Sequence, residues 1–362
     1  MKLLLARGYP RRTGFTHRVT ELFLEGVRDT GATVTDVDLT SANIQPCTGC
    51  YDCWFNTPGQ CIHQDDMNQL LEAVLAADVL VCATPLYFYS MTSCMKTFIE
   101  RLFPLFSPGV EPSGAGYPRN HLRYPERWRG KKLITIVTGS LRHPEMYRPI
   151  NDTFRLIADG LDLELGGQLT RSESYILDFT LSKPRTMKLV EQAFRAAGCE
   201  AGTTGRLSAK TTREAALPLT ADELHYVTYT NLYWEHASRL GRDGVDLAAV
   251  QQRVAADPHI LMREMARSFD PQAAGDIHAI LQFDFPDRNI HYRLTIDRGR
   301  CELEEMETTT PHLRITCASD TWLKILSKQI AVRDALGNRQ LALNGEKGLF
   351  AKLERYFPPT AL

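Results

Sequence analysis

The chain lacks long apolar runs, a surplus of charge of either sign, and internal repeats. No stretch of eighteen or more apolar residues occurs in its 362 residues, so nothing reads as a transmembrane helix. The formal net charge is −1, which implies no general attraction to nucleic acid or to an anionic membrane. The opening "MKLLLARGYPRR" carries too short an apolar core for a secretory signal and reads as a strand, so a cytoplasmic location is expected. The loop that follows, "RGYPRRTGFT", has no G-x-G-x-x-G, which argues against an ordinary Rossmann NAD site. Cysteine, by contrast, is plentiful, with nine in the chain. In a reducing compartment, clustered thiols favour metal or redox chemistry over structural disulfides.

Hydrophobic content of 43% and charged content of 23% are those of an ordinary globular protein, and the length allows two or three domains. Over residues 1–170, short apolar runs alternate with amphipathic helical patterns. Strands are expected at 2–6, 33–39, 79–83, 132–138 and 161–167. Between them, "HRVTELFLEGVRDTG" places Val19, Leu22, Phe23 and Val27 on one helical face. "DDMNQLLEAVLAADV" does the same for Met67, Leu70, Leu71, Val74 and Leu75, with Asp65 or Asp66 as cap. Such alternation predicts a doubly wound α/β fold with a parallel sheet. The Gly- and Pro-rich 107–120 reads as a long loop beside this domain's site. Residues 171–255 read as helical, with Tyr229, Tyr233 and Trp234 as packing residues. From Asp257 onward, strands run together and helices stand apart, predicting a distinct α+β domain. There a helix near 319 is expected to be capped by Ser319 or Asp320, and Cys301 and Cys317 read as buried thiols. The expected domains are 1–205, a helical extension 206–256, and 257–362.

In a doubly wound sheet, ligands bind beyond the C-terminal ends of the strands. Three loops leave there. Arg11, Arg12, Thr13, Gly14, Phe15 and Thr16 put donors, positive charge and a helix start together, which suits a phosphate monoester; a solvated basic loop is the plainer reading. In "TPLYFYSMTSCMK", Thr84, Pro85, Leu86, Tyr87, Phe88, Ser90 and Met91 form an apolar, aromatic loop. It exposes hydrophobic surface unless something flat, such as a flavin ring, or a neighbouring protein surface covers it. After the fourth strand, Thr138 and Gly139 allow close approach of backbone to a ligand.

Between the second strand and the next helix lie Cys47, Cys50, Cys53 and Cys61. C-x2-C-x2-C with a distal cysteine can close a metal tetrad, and ferredoxin-type clusters use the same compact triple. Three readings stand: a [4Fe–4S] cluster, thiols or a plain structural loop near the flavin, and structural zinc, although zinc ribbons usually show two separated C-x2-C knuckles. His63 is near enough to be an alternative ligand, and more simply belongs to the helix start.

The three motifs "GYPRRTGFT", "PCTGCYDCW…GQCIHQDDM" and "TPLYFYSMTSCMKTFIERL", in this order, resemble the NADPH-dependent FMN reductases, and most closely their iron–sulfur flavoprotein branch. Gly8, Pro10, Arg11, Gly14 and Thr16 match the family's first loop, in which Tyr9 replaces the usual Ser. Pro85, Leu86, Tyr87, Ser90 and Met91 match the loop that carries the isoalloxazine. Lys96, Phe98, Ile99 and Arg101 match the helix after it. The resemblance covers roughly 1–240 and implies a flavodoxin-like sheet of order 2-1-3-4-5, bound FMN, NAD(P)H as co-substrate and, commonly, a homo-oligomer. It also implies an oxidoreductase that passes electrons to a quinone, flavin, nitro compound or one-electron carrier. Residues 257–362 resemble the sterol carrier protein type 2 fold through "RSFDPQAAGDIHAILQFDF", "DTWLKILSK" and "LALNGEKGLFAKLERYF". That implies an apolar cavity for a lipid or other hydrophobic ligand. A rival reading is therefore an FMN-containing carrier or sensor without turnover.

Overall fold

The computed structural model describes residues 1–114, 116–174, 184–220, 222–241, 257–326 and 328–358, with Val250. The chain divides into two compact units, Met1–Ala221 and Asp222–Leu362.

The first unit is built on five parallel strands: β1 (Lys2–Arg7), β2 (Thr33–Asp38), β3 (Val79–Pro85), β6 (Lys132–Thr138) and β7 (Glu164–Arg171). Between β3 and β6 the chain inserts a separate antiparallel hairpin, β4 (Phe106–Pro112) and β5 (Pro118–Leu122). The parallel order is β2-β1-β3-β6-β7, which is the flavodoxin-like order 2-1-3-4-5 once the hairpin is set aside. The hairpin corrects the expectation of a long loop over 107–120. Its base touches the cysteine segment after β2, and its tip lies at the opposite end of the sheet. Tyr117 donates to Asp159, and Arg119 Nη1 to Asp162, at the end where β7 begins.

Both faces of the sheet are covered, because the central strands β1, β3 and β6 are apolar on both sides. Leu4, Ala6, Leu80, Cys82, Leu133 and Val137 join one core cluster with α3 (Met67–Ala76), α4 (Ser93–Glu100) and α6 (Arg148–Gly160). Leu3, Leu5, Val79, Val81, Ile134 and Ile136 alternate with them and are equally buried. On that side α1 (Phe15–Arg28) packs along α7 (Pro184–Thr204). The approach is close enough that a Cβ on Gly26 would stand 1.9 Å from the Arg195 carbonyl. All five apolar residues expected on the α3 face are buried. Helix α8 (Ala209–Ala215), read from sequence as part of a separate extension, packs on α7 and β7 within this unit. Residues 242–249 and 251–256 of that expected extension lie outside the described residues.

The second unit carries a five-stranded mixed sheet, β8 (His278–Phe285), β9 (Ile290–Asp297), β10 (Arg300–Glu304), β11 (Leu313–Cys317) and β12 (Leu341–Gly345). Its order is β10-β9-β8-β11-β12, with only β8 and β11 parallel. Alternate residues Leu281, Phe283, Phe285, Tyr292, Leu294, Leu313 and Ile315 pack with Trp322 and Leu353 into one apolar core. The helix at 258–267 begins with Asp257, whose carboxylate accepts the N–H groups of His259 and Ile260. The helix Ser319–Leu326 takes its cap from elsewhere: Asp287 accepts both the N–H and the hydroxyl of Ser319. The sequence suggests a local cap at Ser319 or Asp320, whereas the accepting carboxylate comes from the β8–β9 turn. In α9 (Glu223–Leu240), Tyr229 and Tyr233 are buried while Trp234 is half exposed. Cys317 is buried and Cys301 half-buried, and burial pushes their thiols up to about 12 and about 11.

Candidate functional site at the strand ends

The three loops expected to form a site do meet. Gly8 donates its N–H to Ala83 O (2.8 Å), and its own carbonyl accepts from Thr92 Oγ1 (2.6 Å). Thr92 in turn donates its N–H to the buried Thr84 hydroxyl (3.2 Å). Leu86 N–H reaches Thr138 O (2.7 Å), and the hydroxyls of Thr16 and Thr138 bond each other (2.6 Å). The hydroxyls of Thr16, Thr84 and Thr138 are therefore already engaged, and they form the floor that ties loop to loop. Thr92, which makes two of these ties, went unnoticed in the sequence; its signal was a small polar residue just ahead of a helix.

In the first loop, Arg12 pairs with Asp38 at the end of β2, whereas Arg11 is exposed and has no ion-pair partner among the described residues. Thr13 is exposed, Phe15 half-buried, and Gly14 is the extended residue that starts α1. Tyr9, the departure from the family loop, turns inward and is buried. Its hydroxyl accepts from Arg7 (2.7 Å), whose guanidinium also binds Glu21 (2.7 Å) and Asp36 (2.5 Å). Burial alone would lower the Arg7 pKa; the two carboxylates outweigh it and raise it.

The second loop holds the sharpest backbone feature. Tyr87 and Ser90 exchange both backbone hydrogen bonds (2.9 Å each), closing a two-residue turn. Its central residues are Phe88 (φ 45°) and Tyr89 (φ 63°), positions that Asn and Gly normally take. Phe88 is 99% exposed, and Tyr87 and Tyr89 are about half exposed. Leu86 is half-buried, Ser90 exposed and Met91 buried beneath them.

In the third loop, the close approach that Gly139 permits is to Tyr147: a Cβ there would lie 2.6 Å from its hydroxyl. Behind it sits Glu173, fully buried, accepting from Leu219 N (2.6 Å), the Thr220 hydroxyl and Arg142 Nε (3.0 Å). Arg171 lies 3.6 Å away, and burial pulls its guanidinium down to about 10. Glu173 thus pins the third loop through Arg142. No local sequence pattern marks this role.

The four-cysteine segment closes on itself. Asn43 and Gln45 at one end bond Asp66 and Asp65 at the other (2.8 and 2.9 Å). Asp65 also caps α3 and holds Arg101 in a bidentate pair (2.7 and 3.0 Å), both side chains almost fully buried. Burial alone would raise the Asp65 carboxyl, but Arg101 and the Gln45 N–H hold it below its ordinary value. The short helix α2 (Asp52–Phe55) carries Cys53 and stacks Trp54 on Phe103 (5.3 Å). Cys47, Cys50, Cys53 and Cys61 are all free thiols and line one small cavity. Burial, then the neighbouring Cys61, Cys50 and Cys47, push the Cys53 thiol up to about 11. Among the described residues, no three His, Cys, Asp or Glu side chains are gathered to hold one metal ion. A tetrahedral zinc with bonds of about 2.3 Å would bring its sulfurs within about 3.8 Å of one another. The thiols are therefore not arranged as a zinc site, and a cluster, which gives each thiolate its own iron, asks for wider spacing.

Residues 1–147 match the family model of NADPH-dependent FMN reductases. Residues 251–359 match the family model described as alkyl sulfatase C-terminal, where the sequence reading likened this segment to sterol carrier protein type 2. An iron–sulfur flavoprotein of Archaeoglobus fulgidus is 35% identical over 104 residues, 29% of this chain and 46% of that protein. One of Methanosarcina thermophila is 26% identical over 101 residues, 28% of this chain and 52% of that protein. The chain thus spans about half the length of the curated relatives it matches. Among solved structures, an FMN-dependent NADH-azoreductase of Bacillus anthracis superposes with TM-score 0.43 at 12% identity, over 56% of this chain and all of that one. The NAD(P)H:quinone oxidoreductase of Methanothermobacter marburgensis gives 0.40 at 15%, over 55% of this chain and 98% of that one. Among the described residues, no helix is long and apolar enough to cross a membrane.

Proposed function

We propose that the first unit is an FMN-dependent NAD(P)H oxidoreductase, with its site at the C-terminal ends of β1, β3 and β6. The observation that carries this reading is the strained, exposed aromatic turn Phe88–Tyr89, in a loop tied by the Gly8–Thr92–Thr84 bonds to the first loop, whose Arg11 has no ion-pair partner among the described residues. Strain of this kind persists where the surrounding structure over-determines it, and it clusters at ligand sites. Bound there, FMN would supply hydride acceptance from a reduced nicotinamide and release of electrons singly or in pairs. Arg11 and the N-terminus of α1 hold its phosphate, because a cation and unsatisfied N–H groups converge there. Tyr87, Phe88 and Tyr89 flank the ring and keep water from it. Leu86 and Met91 support the turn from below. The acceptor is a small molecule such as a quinone, flavin or nitro compound, or a one-electron carrier, and the active form is a homo-oligomer.

Cys47, Cys50, Cys53 and Cys61 hold a [4Fe–4S] cluster on this reading. The support is their shared cavity, the closed base of the loop and the names of the relatives. The second unit is proposed to bind a hydrophobic ligand, in line with its sterol-carrier-like sequence pattern; uptake of a fluorescent fatty acid tests that directly.

The deciding experiment is a spectrum of anaerobically purified protein before and after NADPH. A flavin absorbance that bleaches supports the oxidoreductase; a colourless protein that takes up no FMN overturns it. Arg11→Ala is expected to weaken FMN binding by about 1.5–3 kcal/mol, the worth of a charge-assisted hydrogen bond. Unchanged affinity by titration removes Arg11 from the site.

A further inference from the structure

Two buried nitrogens that make no hydrogen bond of normal geometry line the cysteine cavity. Arg101 is 1% exposed, and its two terminal nitrogens are engaged by Asp65 and by the Gln45 carbonyl. Its Nε makes no hydrogen bond of normal geometry, and neither does the buried Nε2 of His63. Both residues line the cavity formed by Cys47, Cys50, Cys53 and Cys61. Cys61 is the sulfur nearest this guanidinium in effect: its charge and its capacity to accept a hydrogen bond both favour the charged arginine.

Native proteins seldom bury a donor without an acceptor, because the desolvation of the group is then uncompensated. Here two such nitrogens line the cavity of the same four sulfurs, the one on His63 as a donor in its Nε2–H tautomer. A protonated thiol is a weak acceptor, whereas thiolate and sulfide sulfur carry the negative charge that an N–H group stabilises. The bidentate bond to Asp65 fixes the plane of the guanidinium, so the direction of its Nε–H is set by the fold rather than by the ligand. The arrangement is that of a preorganised pair of donors waiting on a sulfur-rich anion.

We propose that Arg101 Nε and His63 Nε2 donate to the sulfur atoms of the anionic group held by Cys47, Cys50, Cys53 and Cys61, and thereby raise its reduction potential. This rests on the cluster reading given above. A hydrogen bond to a cluster sulfur favours the more negative, reduced state over the oxidised one. Arg101 and His63 are positioning residues here, since the cysteines alone supply the covalent bonds.

The test uses the full chain, purified anaerobically, with iron, acid-labile sulfide and zinc measured and the potential read by titration followed by electron paramagnetic resonance. Arg101→Lys keeps a cation opposite Asp65 and removes the Nε donor. His63→Phe removes the other donor, and His63→Gln restores an N–H. The reduced form should lose favour about tenfold in Arg101→Lys and in His63→Phe, 59 mV for one electron, and recover in His63→Gln. Wild type that carries only zinc, or no metal, overturns the cluster reading and this inference with it. Wild type with iron and sulfide, but with the same potential in Arg101→Lys and His63→Phe, overturns this inference alone. If Arg101→Lys does not fold, the contrast between His63→Phe and His63→Gln decides.

Discussion

Replacing Phe88 and Tyr89 with Asn and Gly should stabilise the first unit while weakening its flavin site. Both residues sit in the left-handed region, at φ 45° and 63°. Each L-residue held there costs roughly 1–2 kcal/mol, and Asn-Gly is the pair that a primed two-residue turn prefers. The Tyr87–Ser90 backbone bonds lie outside the replaced pair and should survive. The expected gain is about 1–3 kcal/mol for the double variant. For a domain of 150–250 residues each kcal/mol moves the midpoint by about 2–4 °C, so the first unit should melt some degrees later. The same substitution removes two rings from the edge of the proposed site. An aromatic contact is worth about 0.5–1.5 kcal/mol beyond its area, so FMN affinity should fall about tenfold or more. Thermal unfolding of the flavin-free protein and fluorescence titration with FMN read the two effects separately. An unchanged midpoint refutes the strain argument. A raised midpoint with unchanged FMN affinity refutes the ligand role and leaves the turn as a contact for another protein surface.

Glu173→Gln removes the only carboxylate that Arg171 approaches among its described ion pairs, leaving a buried cation without a counter-charge. A loss of about 3–5 kcal/mol in urea unfolding is expected; under about 1 kcal/mol, the pinning role of Glu173 fails. The Asp65 carboxyl is held below its ordinary value of 3.8, so its pair with Arg101 stabilises the fold above that pH. The contribution should disappear as pH falls from about 3.8 through the lower folded value. In Asp65→Asn this acid-dependent part should vanish, and parallel pH–stability curves for the two proteins would refute it. Gly26→Ala places a methyl group 1.9 Å from the Arg195 carbonyl and forces α1 off α7. A cost of about 1–3 kcal/mol should appear as a lower melting midpoint; a neutral effect would mean that the two helices slide apart freely.

Much of the fold was legible because its signals are local. The apolar runs at β1, β3 and β6, and the 3.6-residue pattern of α3, name their elements without reference to anything distant. The three strand-end loops could be placed together for the same reason: parallel strands separated by helices must release their loops at one edge. The hairpin at 106–122 was missed because Gly and Pro mark its irregular register and its turn alike, and its antiparallel pairing is a fact about two segments rather than one. Arg101 carried a readable hint, since it lies three residues after Phe98 on a buried helical face, where a charge needs a partner.

What the sequence determined by itself was the order of elements, the presence of three candidate loops and the spacing of four cysteines. Tertiary structure alone decided which side chains became partners. Asp65 and Arg101 are 36 residues apart, Arg142 and Glu173 31 apart, and Thr16 and Thr138 122 apart. No local periodicity encodes such pairs, because each depends on where the sheet delivers its loops. The same holds for what was left unpaired. The exposed Phe88 and the Nε of Arg101, which makes no hydrogen bond of normal geometry, are visible only after every other group has found its neighbour.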